Sequence, residues 1–206
     1  MKVLLINGSP HEKGCTYTAL SLIAGELKAQ GIETEILHVG GQPVGGCIGC
    51  GGCRSGNGCV FGGVVNEAIE KAKTSDAFVF GSPVHYASAA GNMASFMDRL
   101  AYAGGKYLAY KPAAVCCSAR RAGTTSTLDQ LVKYPQFFHM PLVNGSYWAM
   151  VHGSNPEQVL QDAEGCAVMQ ELGRNMAWLL RCIEAGKAAG IDHPQNPPRP
   201  MTSFIR

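Results

Sequence analysis

The chain has 206 residues, 46% of them hydrophobic and 16% charged, and 17 basic against 15 acidic side chains leave a formal net charge of +2. That composition supports one globular domain with a sizeable core and excludes an intrinsically disordered chain. So small a net charge gives no case for nucleic acid or an anionic membrane surface, and no run of about 18 apolar residues offers a membrane span.

Residues 2–6 (KVLLI) form an apolar run that stops at Asn7-Gly8 and predicts a strand buried on both faces. The run is too short for a signal peptide and no small-residue cleavage site follows, so a cytoplasmic protein is expected. A Gly/Ser/Pro loop leads to a helix over about 15–30, with Leu20, Ile23, Ala24 and Leu27 on one face, ended by Gly31. Residues 33–39 predict the second strand, and a long cysteine-bearing loop occupies about 40–63. A helix over 64–73 follows, then a third strand at 76–81, a loop at 82–91 and a helix from about 92 to 103. The fourth strand is expected at 112–117, a loop at 118–123 and a short helix at 124–133. The fifth strand is expected at 141–143 and a few residues beyond. Residues 156–189 read as mostly helix, and the proline-rich tail as extended.

Five strands alternating with helices predict a parallel, doubly wound α/β sheet, with right-handed crossovers and the flavodoxin-like order 2-1-3-4-5. The domain spans 1–190 and the tail 191–206. In such sheets a ligand sits beyond the carboxyl ends of the strands, where three loops emerge: 7–14, 82–91 and 118–123.

The first loop, NGSPHEKGCT, has neither Walker nor GxGxxG spacing. It offers hydroxyls at Ser9 and Thr16, cations at Lys13 and His11, and the amides of a helix start, which suit a phosphate. Thr16 as a plain helix cap is the simpler alternative. Arg120 and Arg121 in the third loop suit the phosphate of a dinucleotide or stand as a solvated pair.

Four cysteines, Cys47, Cys50, Cys53 and Cys59, follow C-x2-C-x2-C-x5-C in a glycine-rich stretch. Thiolates are soft ligands for zinc, copper(I) or iron–sulfur clusters. Three cysteines at two-residue gaps and a fourth further on are closer to iron–sulfur ligation than to zinc, whose ligands come as two separated pairs. Free thiols in a reducing compartment remain the alternative, and the total of nine cysteines, an odd number, suits such a compartment. Cys116 and Cys117 sit in an apolar run and read as core.

The stretches GSPHEKGCT, GSPVHYASAAGNMASFMDR and CCSARRAGTTSTLDQL together resemble the NADPH-dependent FMN reductases among flavodoxin-like proteins, over about residues 1–131. The resemblance implies FMN, its phosphate held by the loop of Ser9, Pro10, Lys13, Gly14, Cys15 and Thr16. It implies an isoalloxazine slot at Pro83, Val84, His85 and Tyr86, approached from the other side by Ser118, Ala119, Arg120 and Gly123. No side chain is then required as catalyst, because the flavin carries the chemistry. NAD(P)H would give a hydride to flavin N5, and a quinone, free flavin or other small acceptor would take the electrons.

The cysteine spacing also resembles the iron–sulfur flavoproteins, which implies a possible [4Fe-4S] cluster on those four cysteines and one-electron traffic with a ferredoxin-like protein. A redox-sensing flavin protein without turnover is a third reading. Homodimers or homotetramers are expected by the same resemblance. Cys15, where relatives often carry Asn, and Gly62-Gly63, where they carry acidic residues, depart from the pattern.

Overall fold

The computed structural model describes residues 1–204. Strands β1 (Lys2–Asn7), β2 (Glu33–His38), β3 (Ala77–His85), β5 (Ala113–Ala119) and β6 (Met150–His152) pair in the order β2-β1-β3-β5-β6. Every pairing along that path is parallel. A two-residue strand, β4 (Ser88–Ala89), runs antiparallel to the end of β3. Setting β4 aside, the order is the expected flavodoxin-like one.

The apolar strands bury both faces. Val3, Leu5 and Val79 pack with α1 (Cys15–Ala29) and α6 (Ala163–Ala188) on one side. Leu4, Ile6, Phe78 and Phe80 pack with α2 (Val64–Thr74) and α3 (Gly91–Gly104) on the other. Cys116 and Cys117 are core, as expected, and burial pushes the Cys117 thiol up to about 12. Helix α4 (Thr124–Phe137) follows β5 and runs beyond its expected end.

One expectation is corrected and one is refined. Residues 141–143 make only a single bridge, Leu142 against Ala113, and the last strand is β6. Beyond Val143 the chain leaves the sheet, and Glu171 on α6 holds that excursion by accepting from the Ser146 amide and hydroxyl. The helix over 156–189 is two helices, α5 (Pro156–Val159) and α6, because Asp162 caps a new start by accepting from the Gly165 amide. Tyr147 and Trp148 stack edge to face and are half exposed, so they are not core. The tail has no regular element through residue 204, and its His193 stacks on Tyr110 at 4.3 Å; the tail's last two residues, 205–206, lie outside the described residues. No helix among the described residues is long and apolar enough to cross a membrane.

One ion-pair cluster on β2 predicts a pH effect. Glu35 is held below its ordinary range by hydrogen bonds from Lys71 and then Lys2, the latter at 2.9 Å. A depressed carboxylate stabilises the fold above its unfolded pKa, and that contribution is lost as pH falls through the folded value. Glu35→Gln is expected to cost about 0.5–1 kcal/mol at neutral pH. The difference from the parent should close well below pH ~4.3, as urea melts across pH would reveal.

Candidate functional site

The first loop is built on Asn7, which is buried at the end of β1. Its Nδ2 donates to the Glu12 carbonyl at 2.9 Å, and its Oδ1 accepts from the Ser9 amide at 3.1 Å. The Ser9 hydroxyl in turn accepts from the His11 amide at 3.1 Å, so its own proton is left to donate outward. His38 Nε2 lies 2.7 Å from the Ser9 carbonyl. Only the ring nitrogen can donate in that pair, which fixes the tautomer.

Gly14 is the N-cap of α1 and offers no side-chain cap, so the first amides of the helix remain for an anion. Thr16 does not cap: its hydroxyl is buried and shares a 2.8 Å hydrogen bond with Ser118, tying the first loop to the end of β5. Cys15 is half-buried with its Sγ 3.5 Å from the Gly153 carbonyl, and burial raises its thiol pKa. Pro10 and Lys13 are exposed at the loop's rim.

The second loop is a hairpin rather than an open loop. β3 continues through Pro83 and Val84 to His85, and Ser88–Ala89 pairs back on it. The two residues between, Tyr86 and Ala87, both have positive φ, at 50° and 58°. A two-residue turn of that kind normally carries Asn-Gly, because a Cβ is strained there. The surroundings hold it in place. Ser126 on α4 donates to the Ala87 carbonyl at 2.7 Å, and Gln130 Oε1 accepts from the Ser88 hydroxyl at 2.6 Å and the Ala89 amide at 2.9 Å. The Tyr86 ring is fully exposed at the tip. Ala87→Gly is expected to raise stability by about 1 kcal/mol through relief of this strain, read as a higher urea midpoint of the flavin-free protein.

The third loop completes a cleft of about 520 Å³ between Val84, Tyr86 and Ala87 on one wall and residues 119–123 on the other. Gly123 has φ 89°, and a Cβ there would stand 2.7 Å from the Ala87 Cα, so only glycine lets the two walls meet this way. Arg120 and Arg121 are exposed at the mouth. A larger cavity, about 1210 Å³, lies at the amino ends of the strands beside Tyr110, Lys111 and Ile183, away from all three loops.

The cysteine loop leaves β2 on the same edge of the sheet and is held by one face of α3. Asn92 Nδ2 donates to the carbonyls of Gly40 and Gln42, and its Oδ1 accepts from the Val44 amide. Seven residues along, buried Arg99 donates from Nε to Cys59 Sγ at 3.2 Å. Cys59 is fixed again by Asn66, which accepts from its amide at 2.8 Å and donates to its carbonyl at 3.0 Å. The loop re-enters helix at α2 through Gly63, whose φ is 68° and which supplies no side-chain cap. All nine cysteines are free, and among the described residues no three His, Cys, Asp or Glu side chains converge where a metal ion would sit. The donor set is chemically right for a soft metal centre, but the thiols of Cys47, Cys50 and Cys53 are not gathered on Cys59.

Residues 1–155 match the family model described as NADPH-dependent FMN reductase. The chain belongs to that family. An iron–sulfur flavoprotein of Methanocaldococcus jannaschii is 27% identical over 192 residues, covering 89% of this chain and all of that protein. One from Methanosarcina thermophila is 22% identical, covering 91% and 99%. An Archaeoglobus fulgidus iron–sulfur flavoprotein is 35% identical over 99 residues, 48% of each chain. Of solved structures, a flavodoxin from the domain Archaea aligns with TM-score 0.60 at 13% identity, covering 88% of this chain and 99% of that one. An NADH:FMN oxidoreductase in its apo form aligns with TM-score 0.61 at 18% identity, covering 88% and 89%. These structural likenesses are of fold.

The residues of this FMN reductase family member fit the cofactor that the family implies. The loop of buried Ser9 leads into an uncapped helix start, and the cleft has apolar walls at Val84, Ala87 and Ala119. The residues that shape the flavin loops without lining the cleft, Asn7, His38, Ser126 and Gln130, and those that hold the cysteine loop, Asn92 and Arg99, were not legible in the sequence in those roles. Only Asn7, placed before Gly8-Ser9-Pro10, carries a local signal, that of an Asx turn.

Proposed function

We propose that the protein is an FMN-dependent oxidoreductase that takes electrons from NAD(P)H and passes them to a small-molecule acceptor such as a quinone or free flavin. The observation that carries this reading is the strained, multiply tethered hairpin facing the loop at Gly123 across an apolar cleft. Bound FMN supplies the redox chemistry, two electrons from a reduced nicotinamide and their release to the acceptor. The chain does the rest. Ser9 and the first amides of α1 hold the phosphate. The hairpin from Pro83 to Ala87 and the segment 118–123 flank the ring and restrict water. Arg120 and Arg121 at the mouth attract the nicotinamide dinucleotide's phosphates.

Protein purified without oxygen, then titrated with FMN and assayed with NADPH and a quinone, tests the reading. Saturable flavin binding with quinone-dependent NADPH oxidation is expected. Failure to bind FMN would sink it.

A second reading is favoured by the cysteine loop and by full-length relatives that are iron–sulfur flavoproteins. Here Cys47, Cys50, Cys53 and Cys59 hold a [4Fe-4S] cluster, and single electrons pass between it, the flavin and a ferredoxin-like protein. Iron and acid-labile sulfide in the anaerobic protein, with poor NADPH turnover, would favour it over the first.

A further inference from the structure

Arg99 is 7% exposed, yet among the described residues no carboxylate lies within ion-pair reach of it. Its chain neighbour Asp98 accepts instead from the Tyr134 hydroxyl at 2.6 Å. A buried cation without a counter-anion is costly, so the group that offsets it has to be found among its contacts. Its Nη1 donates to the Gly45 carbonyl at 3.4 Å and its Nη2 to the Gly62 carbonyl at 3.0 Å, and the guanidinium packs 5.6 Å from the Phe61 ring centroid. The remaining contact is Cys59 Sγ. Arginine only donates, so the sulfur is the acceptor.

The three contacts have a geometric meaning. Gly45 precedes the first cysteine of the loop and Gly62 follows the last. One side chain therefore spans both ends of the segment that carries all four thiols. Between them Cys59 is fixed at three points, by Arg99 and twice by Asn66. The arc before it turns at Gly49, Gly51, Gly56 and Gly58, all with positive φ.

We propose that Arg99 is the positioning residue of the cysteine loop: it clasps the loop's ends at Gly45 and Gly62 and holds Cys59 as the preset ligand, onto which the arc of Cys47, Cys50 and Cys53 closes around an anionic cluster. The metal half of this inference rests on the iron–sulfur reading above; the clasp does not. A four-thiolate iron–sulfur cluster is anionic, and its potential rises with hydrogen bonds and positive charge at its sulfurs.

The test uses the full chain with FMN bound, as parent, Arg99→Gln and Arg99→Lys, reconstituted without oxygen with ferrous iron and sulfide. FMN affinity of the iron-free protein within about twofold of the iron-free parent reports that a variant is folded. In Arg99→Gln, iron per chain is expected to fall at least about twofold and the remaining cluster to titrate at a more negative potential. Arg99→Lys, which keeps the charge and loses the fork, should recover much of the potential and less of the iron. In the iron-free proteins, amides of residues 45–63 should exchange at least about tenfold faster in Arg99→Gln than in the parent. If the parent takes up no iron, the cluster reading fails and the exchange measurement alone decides the clasp. Parent-like loop exchange in Arg99→Gln overturns the proposal, as does parent-like iron content and potential where the parent is loaded.

Discussion

Gly123→Val is expected to weaken FMN binding by about tenfold or more and to cost about 2–4 kcal/mol of stability. Two effects act at one position. The φ of 89° is a conformation that a β-branched residue adopts only under strain. The new Cβ also stands 2.7 Å from the Ala87 Cα and 2.9 Å from Val84 Cγ1. The first of these is backbone and has no rotamer to escape into, so the hairpin or the start of α4 must move. Either movement opens the cleft, whose walls are those same residues. Equilibrium titration with FMN and a urea melt of the flavin-free protein read the two effects separately. Parent-like affinity in a folded variant would show that the cleft at Gly123 is not where the flavin binds.

Asn7→Ala is expected to weaken FMN binding by a similar factor, through the phosphate loop rather than the ring. The substitution removes both bonds that shape that loop, to the Glu12 carbonyl and from the Ser9 amide. In a buried position, stranding them costs about 1–3 kcal/mol. Asn7→Asp separates shape from charge. The carboxylate still accepts from Ser9, but it cannot donate to Glu12 and it brings a negative charge toward a bound phosphate. At neutral pH Asp is therefore expected to bind FMN worse than Ala does, and riboflavin, which lacks the phosphate, should show no such ordering. Equal effects of Ala and Asp on FMN would mean that the loop does not face the phosphate.

The sheet was readable because its strands are short, apolar and separated by amphipathic helices, and those properties are local. The last strand is hidden in the sequence because residues 141–143 have the right hydrophobicity yet make only one bridge, while Met150–His152 is too short to stand out. The hairpin was read as a loop for a different reason. Tyr86-Ala87 has none of the usual turn residues, and the turn exists because Ser126 and Gln130 of α4 impose it from about forty residues away. The loops at the carboxyl ends of the strands announced themselves through glycine, serine and proline after a buried strand. Arg99 did not, since its partners lie 37 to 54 positions earlier in the chain. The cysteine spacing was plain in the sequence, but spacing alone says which atoms are available and not whether they meet.

The Ser9 carbonyl receives the His38 ring at 2.7 Å, and Gly40 passes so close over it that any side chain there would overlap that carbonyl. The peptide of the loop proposed to hold the flavin phosphate is therefore also the seat of the segment entering the cysteine loop. Two binding events that distort or settle one shared peptide are thermodynamically linked, and the linkage runs both ways with the same factor. If FMN and a cluster bind as proposed, flavin content and metal content are not independent quantities: a preparation poor in one will report a false affinity for the other.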